Sequence, residues 1–419
     1  MSTDTLDALE TRDPAERERD LMTRLPKLVA RAQSAPGWAR ILAGVDAAAV
    51  TSRDALAALP ITRKAELKSL QQHEPPFGGL NATAVGELAR VFVSPGPIFD
   101  PEGRAPDWWR FSRPMYAAGV RPGGLLQNCF SYHFTPAAFM IESGAARIGC
   151  AVIPAGAGQT EMQVQAMADL RPSTYIGTPS FLRIIIEKAR EMGADIGSVR
   201  NAMLGAEALP ESLRHWFRAN GVARVLQTYA SADIGSIAYE TETDGVLNPG
   251  MVLDEDVILE IVRPGSGEPV APGDIGEVVV TLFNSDYPLI RFATGDMSAL
   301  LAGAPPSKCG RTNLRIKGWL GRADQTTKVR AMFVHPSQVA NIARRHPEIL
   351  KARLVVSGRM ANDVMTLHCE VAAPLAPAQA DAIVHSIREV TKLRGELRFE
   401  APGALPNDGK MIDDVRDYS

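Results

Sequence analysis

Several short stretches of this 419-residue chain carry residues that could do chemistry. In YPLIRFATGDMSAL, residues 287–300, Arg291 and Asp296 flank a Thr-Gly pair that reads as a turn. A carboxylate at a strand end can accept both hydroxyls of a ribose. PAGAGQTE, 154–161, is glycine-rich after a strand, as ligand loops are and as the corners of any α/β protein are. GRADQTTKVRAMFVHPSQV, 321–339, sets three basic residues and an acid where one pattern gives way to another, either as a site or as a charged linker. SPGPIFDPE, 94–102, follows the apolar run VFV where a strand should hand over to a loop, and it is stiff with proline and carries two acids.

The elements that must position these residues follow from periodicity. Asp13-Pro14-Ala15-Glu16 has a capping residue, a proline at the first helical position and a glutamate at the third, and Leu21, Leu25, Leu28, Val29 and Ala32 follow at helical spacing. From about 124 to 230, short apolar runs (LLQNCF, AVIPAG, TYIG, NAMLGAE, RVLQTYA) alternate with amphipathic segments, which predicts a parallel sheet covered on both faces. VILEIVRPGSGEPVAPGDIGEVVVTLF, beyond 250, predicts an antiparallel hairpin. After GRADQ the pattern predicts strands near 327–334, 352–357 and 364–370 and helices at 336–345 and 376–392, a small α+β domain.

Composition narrows the partners. With 45% hydrophobic residues the chain can bury a large core, and its 45 basic and 48 acidic residues are mixed, leaving no footprint for nucleic acid or an anionic membrane. Cys129, Cys150, Cys309 and Cys369 form no CxxC pair, which argues against a disulfide framework or a cysteine-rich zinc site and fits a reduced cytoplasm. The N-terminal stretch is charged and reads as neither a secretory signal nor an anchor.

LGAEALPESLR (204–214), QTYASADIGSIAYE (227–240), the YPLIRFATGD stretch, GRAD and GALPNDGKMIDDVRD (403–417) together resemble, in order and spacing, the phenylacetate-CoA ligase branch of the adenylate-forming enzymes. PAGAGQTEMQVQAMADLRPSTYIGTPSFL, 154–182, is similar to that branch's PSGGGNTEMQ…TPSY region. The resemblance runs from about residue 87 onward. It implies an α/β fold: a large N-terminal domain, 1–323, with a mostly parallel sheet and an antiparallel β subregion, and a small mobile α+β C-terminal domain, 324–419, that hinges near Asp324.

The activity implied is ATP-dependent activation of a small, aromatic carboxylic acid to an acyl-adenylate, followed by transfer to coenzyme A, with Mg²⁺ as cofactor. By motif position, Gly205, Ala206 and Glu207 would lie along adenine, Tyr229 near it, Asp296 on the ribose and Arg322 on the nucleotide. Asp233 would ligate Mg²⁺, although the family's YGLSE or YGTTE is here Tyr229-Ala230-Ser231-Ala232-Asp233. Lys410 would bridge carboxylate and nucleotide. Lys328, Arg330 and Ala331 would line the pantetheine tunnel, and Tyr132, His133 and Phe134 fall in the segment that helps form the acyl pocket.

The family's phosphate loop, SSGTTGKPT, aligns without a gap on SPGPIFDPE. Ser94 and Gly96 mark the loop, Pro97 and Ile98 replace its hydroxyls, and Asp100 replaces its lysine, so a loop placed as in relatives would disfavour triphosphate unless Arg104, Arg110 or Arg113 compensates. A second implication is therefore a binding protein that holds nucleotide or acyl-CoA without adenylating. The partner expectations are small molecules and a homodimer, with no nucleic acid and no membrane.

Overall fold

Asp13 caps the first long helix, Pro14–Gln33, by accepting from the backbone N–H groups of Ala15 at 2.9 Å and Glu16 at 3.0 Å. Leu21, Leu25, Leu28, Val29 and Ala32 form its buried stripe. The computed structural model describes residues 5–94, 97–303, 307–323, 325–330, 332–359, 362–406 and 410–416. The chain divides into two compact units: Met1–Ala206 with Trp216–Leu320, and Glu207–His215 with Gly321–Ser419.

The first unit is built on an eight-stranded sheet in the order Arg315–Ile316, Met251–Leu253, Gly235–Tyr239, Arg224–Ser231, Asn201–Leu204, Thr174–Gly177, Leu125–Asn128, Ala151–Pro154. From Arg224–Ser231 to the Ala151–Pro154 edge every pairing is parallel, as the alternating pattern predicts; on the other side the pairings are antiparallel. The change of sense falls at the turn after Ser231. A parallel strand must be reached by a crossover, whereas Gly235–Tyr239 folds straight back on its predecessor.

A second sheet of this unit runs Thr62–Arg63, Leu289–Ser298, Gly276–Leu282, Val257–Val262, and contains the expected hairpin. Thr62–Arg63 joins it in parallel, with Thr62 opposite Phe292 and Arg63 opposite Ala293. Arg291, buried and with φ at +44°, fixes that junction. Its guanidinium donates to the carbonyls of Ala57 and Leu59 at 2.6 Å each, to the Gly267 carbonyl and to Glu260. Arg291 is thus a clamp on residues 57–59.

Two expectations change here. The Thr294-Gly295 pair is not a turn, because it lies within the single strand Leu289–Ser298, where a bulge sets Met297 opposite Glu277 and Ala293 opposite Val279. Nor is 94–102 wholly a loop. Ile98–Glu102 is a strand paired antiparallel with Arg90–Ser94, Asp100 facing Phe92 and Pro101 facing Val91, a hairpin that needs no N–H from proline on its outer edge.

In the second unit the sheet order is Glu396–Glu400, Asn362–Val371, Ile349–Arg359, Ile412–Asp414, with helices Pro336–Arg345 and Pro377–Thr391. Val339, Ile342, Leu354, Val356, Leu367, Ile383 and Ile387 make its core. The run expected as one strand near 327–334 is two, Thr327–Val329 and Met332–Val334, since Arg330 at φ +46° reverses the chain. Among the described residues no helix is long and apolar enough to cross a membrane.

Candidate active site

The bulge in Leu289–Ser298 re-aims Asp296, as bulges do. Its backbone N–H donates to Thr294 Oγ1 at 3.0 Å, and its two carboxylate oxygens are fixed separately. Tyr229 Oη donates to Oδ2 at 2.8 Å and Trp319 Nε1 to Oδ1 at 3.1 Å. Tyr229 is buried, so its hydroxyl serves Asp296 while its ring is walled in.

Tyr229 ends the parallel half of the sheet, and four residues later Asp233 stands in the turn between Arg224–Ser231 and Gly235–Tyr239. The turn closes only on glycine. Gly235 has φ +81°, and a Cβ there would meet the Trp109 carbonyl oxygen at 2.6 Å. Ser236 N–H donates to that same carbonyl at 3.0 Å, which presses the turn inward. Asp233 is accordingly only 1% exposed.

Its ion-pair partner is Lys64, on the single turn that follows Thr62–Arg63. Lys64 Nζ donates to Asp233 Oδ2, while Asp233 Oδ1 is buried with no hydrogen-bond partner among the described residues. Burial pulls the Lys64 ammonium down, but Asp233 beside it, with Asp100 and Asp296, holds it above the ordinary lysine range. Asp100 is equally buried, and its Oδ2 also lacks a partner among the described residues. Burial, joined by the Asp233 charge, pushes the Asp100 carboxyl up to about 8 against the opposing Ser94 hydrogen bond and Lys64. At neutral pH Asp100 holds a proton, so it does not present the anion that its alignment with the loop lysine implies.

The three arginines weighed as compensation for the lost loop lysine do not turn toward these carboxylates. Arg104 donates to the carbonyls of Glu87 and Leu88, Arg110 to Asp254 and to the Ile234 and Ser236 carbonyls, and Arg113 to Asp7. They bind segments of the unit to one another.

The glycine-rich stretch is held by Gln163, whose Nε2 donates to the Gly156 carbonyl at 2.8 Å and the Gly158 carbonyl at 2.9 Å. Gln127 donates to Gln163 Oε1 at 3.0 Å, and the Cys129 thiol does the same, so this loop is braced from the strand Leu125–Asn128. In the acyl-pocket segment, Tyr132 Oη donates to Glu142 at 2.6 Å and accepts from Asn128 at 3.0 Å. His133 and Phe134 are exposed, while the Phe134 carbonyl accepts from Val93 N–H and ties the segment to the 90–102 hairpin.

Gly205 and Ala206 follow the strand Asn201–Leu204. Gly205 N–H donates to the Gly177 carbonyl at 3.1 Å, and Ala206 sits at φ +65°. Glu207 falls in the second unit, as do Arg322, Lys328, Arg330 and Lys410. There the Arg322 carbonyl accepts from Gln325 N–H, the Lys328 ammonium lies 5.4 Å from the Phe333 ring centroid, and Arg330 N–H donates to Asp363 at 2.9 Å. Lys410 Nζ pairs with Asp413 at 3.2 Å on the surface. Gly96, Asp324 and Ala331 lie outside the described residues.

The structure thus brings Tyr229, Asp233, Asp296 and Asp100 together around Lys64 and Trp319 within one unit. Lys64 and Trp319 are the members that sequence reasoning missed. Lys64 is 169 residues from Asp233, beyond any local pattern, and only the basic pair Arg63-Lys64 after an apolar run hints at it.

The sequence profile described as AMP-binding enzyme matches residues 121–282. A phenylacetate-coenzyme A ligase from Thermus thermophilus is 30% identical over 402 residues, 90% of this chain and 89% of that protein. One from Aromatoleum evansii is 26% identical over 327 residues, 75% of this chain and 72% of its own length. In fold, a 2-hydroxyisobutyryl-CoA ligase in complex with 2-HIB-AMP and CoA matches with a TM-score of 0.81 at 23% identity, over 98% of this chain and 92% of that one. The chain belongs to the phenylacetate-CoA ligase family and is an acid–thiol ligase of the AMP-forming type.

Proposed function

We propose that this protein converts a small aromatic carboxylic acid to its CoA thioester through an acyl-adenylate, at the expense of ATP. The observation that carries the reading is the paired grip of Tyr229 and Trp319 on Asp296, which leaves a carboxylate pre-set for two ribose hydroxyls. In the first step a carboxylate oxygen of the acid attacks the α-phosphorus of ATP, and the bond to the β-phosphate oxygen breaks to release pyrophosphate. In the second the thiol sulfur of CoA attacks the acyl carbon, its proton goes to solvent, and AMP leaves with the electron pair of the C–O bond.

Asp296 holds the ribose, Gly205 and Ala206 approach adenine with bare backbone, and Lys410 neutralises the negative charge that gathers as acid and α-phosphate meet. Lys328 and Arg330 line the path of the pantetheine arm of CoA. Asp233, whose Oδ1 has no hydrogen-bond partner among the described residues, would hold a magnesium ion, which would supply charge neutralisation for the pyrophosphate.

Pyrophosphate exchange into ATP, driven by a panel of aryl and alkyl acids, tests this reading. Exchange with one or more aryl acids supports it, and none with any acid at millimolar ATP overturns it. A second reading is favoured by the strand Ile98–Glu102 and its neutral Asp100: a protein that binds nucleotide without adenylating. Thermal shifts with AMP and CoA but none with ATP would select it.

A further inference from the structure

The family alignment leaves the triphosphate without a cation, and the described part of the 90–102 hairpin supplies none: Pro97 has no N–H, and Asp100 is buried on a strand. Arg104, Arg110 and Arg113 are engaged elsewhere. We infer that Lys64, delivered from the N-terminal segment, is the residue that holds the β- and γ-phosphates of ATP in this protein. The inference rests on the ATP-dependent reading above and names the group that makes it feasible.

Lys64 is placed where such a group has to be. It pairs directly with Asp233, and its charge is felt by Asp100 and Asp296, the positions that align with the metal ligand, the loop lysine and the ribose acceptor. An ammonium has three donors, and Asp233 takes one. The Lys64 side chain keeps 27% of its surface open to solvent, so a ligand can reach the cation without moving the protein core.

The position is also rigid. Thr62 and Arg63, immediately before it, pair with Phe292 and Ala293, and Arg291 pins Ala57 and Leu59. The strand that carries Asp296 therefore also fixes the backbone of Lys64. A lysine needed only to neutralise Asp233 would not require this double anchorage. A phosphate-binding one would, because affinity depends on a charge that is already in place.

The test is calorimetric titration of the wild type, Lys64→Met and Lys64→Arg with ATP plus Mg²⁺ and, separately, with AMP. Lys64→Met should lose tenfold or more in ATP affinity while its AMP affinity stays within threefold, and Lys64→Arg should keep both within about threefold. ATP affinity unchanged in Lys64→Met overturns the inference and leaves the ligase reading standing. An equal fall for ATP and AMP assigns Lys64 to holding the fold and also overturns it. Wild-type protein that binds AMP but not ATP removes the ligase reading and the inference with it. Should Lys64→Met fail to fold, Lys64→Gln, which can still donate to Asp233, replaces it in the same comparison.

Discussion

Tyr229 and Asp296, 67 residues apart in sequence, meet through a 2.8 Å hydrogen bond in which the phenol is the donor. Removing that hydroxyl takes away one of the donors that hold the Asp296 carboxylate in place. Hydrogen bonds to charged groups contribute about 1.5–3 kcal/mol, so Tyr229→Phe is expected to weaken AMP binding by roughly tenfold or more. Titration with AMP measures this, and an affinity within twofold of wild type would show that the bond does not position the carboxylate.

Asp100 gives the protein a pH dependence of defined sign. Its native carboxyl, faced by Asp233, Lys64 and Ser94, titrates near 8 against 3.8 for an ordinary aspartate, so the folded state keeps a proton that the unfolded state releases. Its stabilising contribution is full below about pH 4 and is lost as pH rises toward 8. The wild-type melting temperature should therefore fall relative to that of Asp100→Asn between pH 5 and pH 8. Parallel curves across that window would mean that Asp100 is ionised in the native state.

Lys410 pairs with Asp413 in a half-exposed contact of the kind that contributes 0–1 kcal/mol or thereabouts to stability. Lys410→Ala should melt with the wild type yet lose about a hundredfold or more in pyrophosphate exchange, the scale of losing one charge-stabilising group. Equal exchange rates would remove Lys410 from the adenylation step.

Gln163 offers the reverse pattern. Gln163→Leu strips the Gly156 and Gly158 carbonyls of their donor and takes the Oε1 acceptor from the Gln127 amide and the Cys129 thiol, leaving the amide its longer bond to the Gln163 carbonyl at 3.5 Å. A loss of about 2 kcal/mol in urea denaturation is expected, the scale of a buried group left unpaired. A loss below about 0.5 kcal/mol would place the loop's support elsewhere.

The thiols should sort by burial. Burial pushes Cys129 and Cys369 up to about 12, so neither forms thiolate at pH 8, and both should resist a disulfide reagent until the protein unfolds. Fast labelling of Cys129 in the native protein would contradict the packing around Gln163.

The parts of the fold that were legible in sequence are those written in local periodicity. Asp13 announces its helix because capping is a contact with the next three residues, and the run from Leu125 to Ser231 announces a parallel sheet because buried strands and amphipathic helices alternate. The helix Pro336–Arg345 has its expected limits because His335 and Pro336 mark a start that needs no tertiary partner. The 90–102 hairpin was hidden, since proline at 95, 97 and 101 is a loop signal and the pairing that makes a strand of it comes from Arg90–Ser94. The candidate site could be named from motif order at Tyr229, Asp233 and Asp296, residues that the structure sets near one another and to which the proposal above gives their roles. It was illegible at Lys64, whose relevance depends on a clamp built from Arg291, and at Arg110 and Arg113, whose nearness in sequence said nothing of where their charges are spent.

That clamp has a consequence in time as well as in space. Arg291 and Leu59 are 232 residues apart, and contacts that span so much chain form late, after local and shorter-range structure has paid the entropy of closure. The helix–strand alternation between 124 and 230 can assemble from neighbours, but the lysine at 64 cannot take its station until the strand at 289–298 exists to receive it. During synthesis the ribosome must therefore deliver more than two thirds of the polypeptide before Lys64 and the strand that anchors it can meet, and any shorter nascent chain has one without the other.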